Sequence, residues 1–251
     1  MTKPSGTICS EARAGAPRRR GGADQDGPSP DTGRPALKVR RDRTYDPDCT
    51  RCPRLAAFLG EIRERYPDYW ARPVPSFGAA DPRIVIVGLA PGLHGANRTG
   101  RPFTGDYAGI LLYQTLHAAG LATGAHSESA DDALELRNLR IINSLKCVPP
   151  QNKPLPAEIR TCNGYLAAEL EGLKHVRVVL ALGRIAHEAF LMATGRKRGA
   201  FPFAHGREHP VGEGLHLIDS YHCSRYNTST RRLTAPMFQK VVARACELAG
   251  V

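Results

Sequence analysis

The sequence predicts an α/β domain whose parallel sheet is covered by helices on both faces. Two observations carry this. Continuous apolar runs of strand length recur at 83–90, 139–148, 175–183 and 214–222, the pattern of strands buried on both faces. Segments with helical spacing alternate with them, at 107–120, 156–173, 184–194 and 236–250. With 251 residues, 41% of them hydrophobic, the chain can form one sizeable domain plus a tail. In such sheets the strand exits form a shared crevice where ligands bind.

Taken in order, the first 43 residues are rich in Arg, Gly, Pro and Ala and hold hardly any large apolar side chains. Such a segment cannot bury enough surface to offset its ordering entropy. Residues 1–43 are therefore expected to be a disordered basic tail and 44–251 the folded domain. Arg18, Arg19 and Arg20 add sequence-independent attraction to phosphates. "DCTRCPRL" then sets Cys49 and Cys52 in a C-x-x-C. "RIVIVGLA" is the first strand. It runs into "GLAPGLHGANRTGRPFTGD" (88–106), a loop with five glycines, two prolines and one carboxylate. That loop has neither of the common phosphate-binding glycine spacings. "YAGILLYQTLHAAG" follows as a helix that stops at Gly120. "LRIINSLKCV" is the second strand, and the helix after it begins at Pro156. "HVRVVLALG" is the clearest strand, with its helix at 184–194. "GLHLIDSYH" leads into a loop dense in Ser, Asn, Thr and Arg, and 236–250 closes the chain.

Charge narrows the partner. The formal net charge of +11 favours an anionic one, with nucleic acid first. No apolar run approaches the roughly 18 residues of a membrane span, and the N-terminus lacks a signal-peptide core, so a cytoplasmic protein is expected. Seven cysteines, an odd number in such a chain, argue against a disulfide framework. Cys49 and Cys52, with the distant Cys147 and Cys162, suit a tetrahedral zinc or a 4Fe-4S cluster, and spacing does not separate the two.

The strand ends bring a distinctive set of groups to one crevice. The first delivers Phe103 and Asp106, the second Asn143, the last His222 and Arg225. A flat ring, an amide, an imidazole and a carboxylate suit nucleobase chemistry. Phe stacks on a base and the amide reads its edge. His stabilises a departing base anion and Asp orients water. Asp106 is also a favoured helix N-cap ahead of Tyr107.

At these residues the chain resembles the family-5 uracil-DNA glycosylases of the uracil-DNA glycosylase superfamily. The resemblance rests on "GLAPGLHGANRTGRPFTGD", "NSLKCVPPQNKP" (143–154), "SYHCSRYNTSTRRLT" (220–234) and the cysteine pattern, in order along about 45–250. It implies a three-layer α/β/α sandwich with a short, mainly parallel four-stranded central sheet. It implies a 4Fe-4S cluster on Cys49, Cys52, Cys147 and Cys162. It further implies a monomeric, monofunctional DNA glycosylase that acts on double-stranded and single-stranded DNA and leaves an abasic site. The implied roles are Phe103 stacking on the flipped base, Asn143 on its Watson–Crick edge and Gly88 beside it. Asp106 handles the water, His222 the charge on the leaving base, and Arg225, Asn227 and Arg231 the DNA. "GLAPG" has no polar side chain where related families carry one, which fits family 5 over a family-4 type. Such a site is expected to extend from uracil to hypoxanthine, xanthine and ethenocytosine. Cys223 stands where the family usually has Pro, and Tyr226 sits where a wedge could enter the duplex. Lys146 and Lys153 read as phosphate or structural contacts. A non-catalytic, metal-stapled DNA-binding protein and an iron–sulfur redox protein are the rival classes.

Overall fold

In the first apolar run Ile84, Val85, Ile86 and Val87 are all buried, so neither face of this strand meets water. That burial is the organising fact of the computed structural model, which describes residues 44–212 and 214–251. The expected tail, 1–43, with Arg18, Arg19 and Arg20, lies outside the described residues. The elements are α1 (Pro53–Arg65), β1 (Phe77–Gly78), β2 (Ile84–Gly88), α2 (Ala96–Thr99), α3 (Tyr107–Ala118), β3 (Leu139–Asn143), α4 (Pro156–Gly172), β4 (Val178–Leu182), α5 (Arg184–Ala193), β5 (Glu208–Gly212), β6 (Leu215–Ser220), α6 (Arg225–Ser229) and α7 (Ala235–Ala249).

The sheet order is β1-β3-β2-β4-β6-β5. Strands β3, β2, β4 and β6 pair in parallel, and they are the four expected from the apolar runs. The sheet is wider than expected, because β1 and β5 add antiparallel edges. Neither edge left a clear mark in the sequence. Strand β1 has only two residues, and β5 alternates exposed with buried positions around Pro210, at a register irregularity. A proline is tolerated there because an edge strand has one unpaired side.

Alternation along each strand divides the core into two layers. Ile84, Ile86, Leu180 and Ile218 face α3 and α7, packing on Leu112, Leu116, Phe238 and Val242. Val85, Val87, Val179 and Leu217 face α4 and α5, packing on Leu166, Ala186 and Phe190. The result is the α/β/α sandwich. A third cluster joins α1 to the segment after β3, through Leu55, Leu59 and Ile62 against Leu145, Val148 and Tyr165. Helix α1 was not expected, although Leu55, Leu59 and Ile62 have helical spacing behind a proline at the first turn.

Chain direction positions the site. From β2 the chain first moves to β3 on one side, and it later returns to β4 on the other. The reversal leaves a gap above the carboxyl ends of β2 and β4, where open parallel sheets bind ligands. Lys146, just past β3, is not a phosphate contact. Its Nζ lies 2.5 Å from Oε1 of Glu169, and both side chains are almost fully buried. Removing one partner of such a pair strands the other charge. Glu169→Gln should therefore lower unfolding free energy by about 3–5 kcal/mol. The double change Lys146→Met, Glu169→Leu should cost less than that single change. Urea denaturation checks this, and a double variant at least as unstable as Glu169→Gln contradicts it.

Candidate active site

The gap at the switch point is a crevice of about 490 Å³, within the range of small-molecule sites. The loops after β2 and β4 line it through Leu89, Ala90, Gly183 and Arg184. Phe103, Asp106, Asn143, His222 and Arg225 all reach it, so the structure brings together the side chains expected to share one site.

Asn143 is the last residue of β3 and pairs in register with Gly88 of β2. Its side chain is buried, yet Oδ1 has no hydrogen-bond partner among the described residues. An orphaned buried amide oxygen is costly and marks a place where a ligand donor fits. Gly88 makes the arrangement possible. A Cβ there would fall 2.4 Å from Oδ1 of Asn143 and 3.0 Å from the Phe103 ring. Gly88 thus serves the site by leaving space and does not line the crevice itself.

Phe103 is buried and has φ of +56°, a conformation that bulky residues rarely adopt. Its surroundings hold it there. Arg101 and Thr104 tie this turn to the 127–132 segment, with Arg101 Nη2 2.8 Å from Ser127 Oγ and 2.5 Å from Asp132 Oδ1. Tyr113 Oη donates to the carbonyl of Pro102 at 2.8 Å. The Phe103 ring lies 5.9 Å from that of His222 with only 28° between their planes.

Asp106 caps α3, its Oδ1 accepting the Gly109 N–H at 3.0 Å. The cap expectation and the crevice expectation therefore both hold geometrically, because a carboxylate has two oxygens. Burial pushes the Asp106 carboxyl up, and the backbone N–H groups of Gly109 and Ala108 pull it partly back. The other oxygen faces the glycine-rich loop. A Cβ on Gly95 would fall 2.2 Å from Cβ of Asp106, so only glycine lets this carboxylate sit where it does.

His222 follows β6, and burial pushes its imidazole down to about 4. It is therefore neutral near pH 7, a hydrogen-bond donor without a full charge. Asn227 Nδ2 donates to the His222 carbonyl at 2.8 Å, so this amide braces the loop from behind and does not line the crevice. Arg231, exposed and at positive φ, also lies away from the lining. Arg225 stacks over the exposed Tyr107 at the mouth, 5.6 Å from the ring centroid. Cys223 is fully buried in the α3/α7 core layer, and burial pushes its thiol far up, so it acts as core filler. Tyr226 is 71% exposed beside the crevice. Asn152, Tyr107 and Ile185 line the crevice without having been expected, and no spacing in the sequence points to them.

A second, small cavity is lined by Cys49, Cys52, Cys147 and Cys162, from three separate segments. Burial pushes Cys147 far up, and the neighbouring Cys162, Cys49 and Cys52 push it further. Cys162, also raised by burial, reaches about 11, and its Sγ accepts the Lys146 backbone N–H at 3.3 Å. Four cysteines lining one small cavity, two of them buried, suit a cationic centre, because thiolates in such a place need positive charge.

Comparison with known proteins agrees with this geometry. Residues 75–246 match the uracil DNA glycosylase superfamily. The chain belongs to that superfamily. It is 50% identical over 208 residues to a type-5 uracil-DNA glycosylase of Thermus thermophilus, covering 81% of this chain and 94% of that protein. A type-5 uracil-DNA glycosylase of Mycobacterium tuberculosis is 42% identical over 211 residues, 81% of this chain and 79% of the relative. A type-4 uracil-DNA glycosylase of Archaeoglobus fulgidus is 37% identical over 114 residues, only 45% of this chain and 49% of the relative. The family-5 resemblance is borne out over most of the chain, and the family-4 likeness covers less than half of it.

The neutral His222 carries a pH signature. An unfolded chain would protonate it below about 6.5, whereas the fold holds it neutral down to about 4. Its contribution to stability is complete above about 6.5 and is lost as pH falls through that window. Against wild type, His222→Gln should lose less unfolding free energy between pH 7 and pH 4. Asp106 is common to both proteins and cancels in the difference. Denaturation at a series of pH values measures it, and parallel profiles contradict the assignment.

Proposed function

We propose that this protein is a DNA repair glycosylase that flips uracil out of DNA and hydrolyses its N-glycosidic bond, leaving an abasic site. One observation carries the reading. The orphaned Asn143 amide, the Phe103 ring, the neutral His222 and the capped Asp106 meet in a single crevice sized for a base. Uracil presents an N–H donor and a carbonyl acceptor on its Watson–Crick edge, complementary to an amide.

Breaking the bond develops positive charge on the sugar and negative charge on the base. Neutral His222 donates a hydrogen bond to the base as it leaves, and Asn143 holds its edge. One such donor contributes about 3 kcal/mol to lowering the barrier. Asp106, pinned through Oδ1, keeps its second oxygen for the sugar cation and the attacking water. Phe103 receives the flat face of the base. Among the described residues no lysine lines the crevice, Lys146 being buried on Glu169 and Lys153 lying outside the lining, and a monofunctional reaction is the one these residues support. Arg184 at the N-terminus of α5 and Arg225 at the mouth meet the DNA phosphates, with Arg231 further out. Asn227 serves by bracing His222. Hypoxanthine, xanthine and ethenocytosine are further substrates of the same crevice, which carries no polar side chain from "GLAPG" to select against them.

Cys49, Cys52, Cys147 and Cys162 would hold a 4Fe-4S cluster. Zinc would draw four sulfurs to within about 3.8 Å of one another, from Zn–S bonds of about 2.3 Å. Among the described residues, the grouping with ligand atoms mutually within 4.8 Å is His187, His209 and Asp219, and the cysteines are spread more widely. The cluster would supply a structural staple, joining the C-x-x-C ahead of α1 to the segment after β3 and to α4. Among the described residues no helix is long and apolar enough to cross a membrane. A monomer working on double-stranded or single-stranded DNA in the cytoplasm completes the reading.

Single-turnover excision tests the roles. Asp106→Asn and His222→Ala should each slow uracil release ~10- to 1000-fold with little loss of DNA binding, because both act on charge that appears in the transition state. Phe103→Ala should weaken capture of the flipped base by about 1–3 kcal/mol. Full single-turnover rates for Asp106→Asn on every base would reduce Asp106 to a helix cap. DNA affinity should fall with salt, and Arg225→Ala should reduce the log–log slope by about one unit. An unchanged slope would remove Arg225 from the DNA contact surface.

A further inference from the structure

The cysteine cavity contains one polar group that nothing else in the fold accounts for. Tyr165 lies on α4, three residues after Cys162, so the two side chains share one helix face. The residue is 3% exposed, and its Oη is buried without a hydrogen-bond partner among the described residues. It lines the same cavity as the four cysteines. Cys49 and Cys52 pack against the same apolar cluster as Tyr165, which sets the C-x-x-C loop beside this side chain. Arg51 closes the other side, its guanidinium 5.0 Å from the centre of the phenol ring.

We propose that Tyr165 donates an O–H···S hydrogen bond to the Cys49 thiolate when the four cysteines hold their cluster, making it a positioning and protecting residue for that centre. The inference rests on the iron–sulfur reading above. A second donor is already in place, the Lys146 backbone N–H on Cys162 Sγ at 3.3 Å. The two donors differ in kind. One is backbone and persists in every variant; the other is a side chain that one substitution removes. They also differ in position. Cys162 is buried, whereas Cys49 is half-exposed at the edge of the cavity. There it is the more open to solvent and to iron loss. Hydrogen bonds to cluster sulfurs disperse their negative charge and tune the centre. An empty hydroxyl buried in the core would do the opposite and only cost stability.

That opposition gives the test a sign. Full-length wild type and Tyr165→Phe, purified without oxygen and matched for iron and sulfide, are treated with a ferrous chelator while the visible band is followed. The variant should bleach about 2- to 10-fold faster, the range of one hydrogen bond, and should melt at a lower temperature. Equal bleaching with an unchanged or raised melting temperature overturns the proposal, because deleting an unpartnered buried hydroxyl gives that result. If the Phe variant does not retain iron, 3-fluorotyrosine at position 165 alone serves instead. Its more acidic hydroxyl should slow bleaching, and an unchanged rate overturns the proposal. Wild-type protein that carries zinc alone overturns the cluster reading itself, a result separate from any effect of Tyr165.

Discussion

The site depends on the absence of side chains at a few points of closest approach. Asp106 can lie against the β2 loop only because Gly95 has no Cβ, since that atom would fall 2.2 Å from Cβ of Asp106. Gly88 plays the same part beneath Asn143 and Phe103. Gly109 does so one turn into α3, where a Cβ would fall 1.9 Å from the carbonyl oxygen of Phe103. Three elements thereby converge within one side-chain length of each other. Interiors are packed as closely as organic crystals, so such positions tolerate no added methyl without displacement. The glycine-rich loop is therefore a spacer that admits polar groups, and the absence of a phosphate-binding glycine spacing follows from that role.

Convergence has an electrostatic consequence. A carboxylate and an imidazole placed in a partly desolvated crevice both shift toward their uncharged forms, Asp106 upward and His222 down to about 4. Helix α3 moderates this for Asp106 through backbone N–H groups at its first turn. For His222 burial is the cause of the shift, and it stays neutral. A neutral donor and a carboxylate so placed would be complementary to separated charge and not to an uncharged ligand. The strained backbone at Phe103 belongs to the same arrangement. Its cost is borne by the buried Arg101 network and by the Tyr113 hydroxyl, which act as a latch on the turn.

The cysteine centre lies in a different part of the core from the crevice. Helix α1 packs on the segment after β3 through a few aliphatic contacts, with Arg54 bridging to Glu158 of α4 at 2.8 Å. Asn143 and Cys147 are four residues apart on one segment, so whatever holds the cysteines also steadies the loop on the outgoing side of the Asn143 amide.

The sequence by itself determined the four parallel strands, the helices that cover them, and the side chains at the strand ends. These were legible because strands buried on both faces read as unbroken apolar runs, and because Phe103, Asp106, Asn143 and His222 sit in long, distinctive motifs. The edge strands were not legible: β1 is too short to show a period, and β5 contains a proline that argues against any strand. Only the tertiary structure decided that Asn227 braces His222, that Lys146 is buried on Glu169, and that Tyr165 faces the cysteines. Each of those roles depends on a partner at least five and up to 116 residues away in the chain, brought near by packing. A linear sequence records a residue's chemistry and its local period. Which acceptor a donor finds, and which space a glycine leaves open, is set by the approach of elements that the chain connects only at a distance.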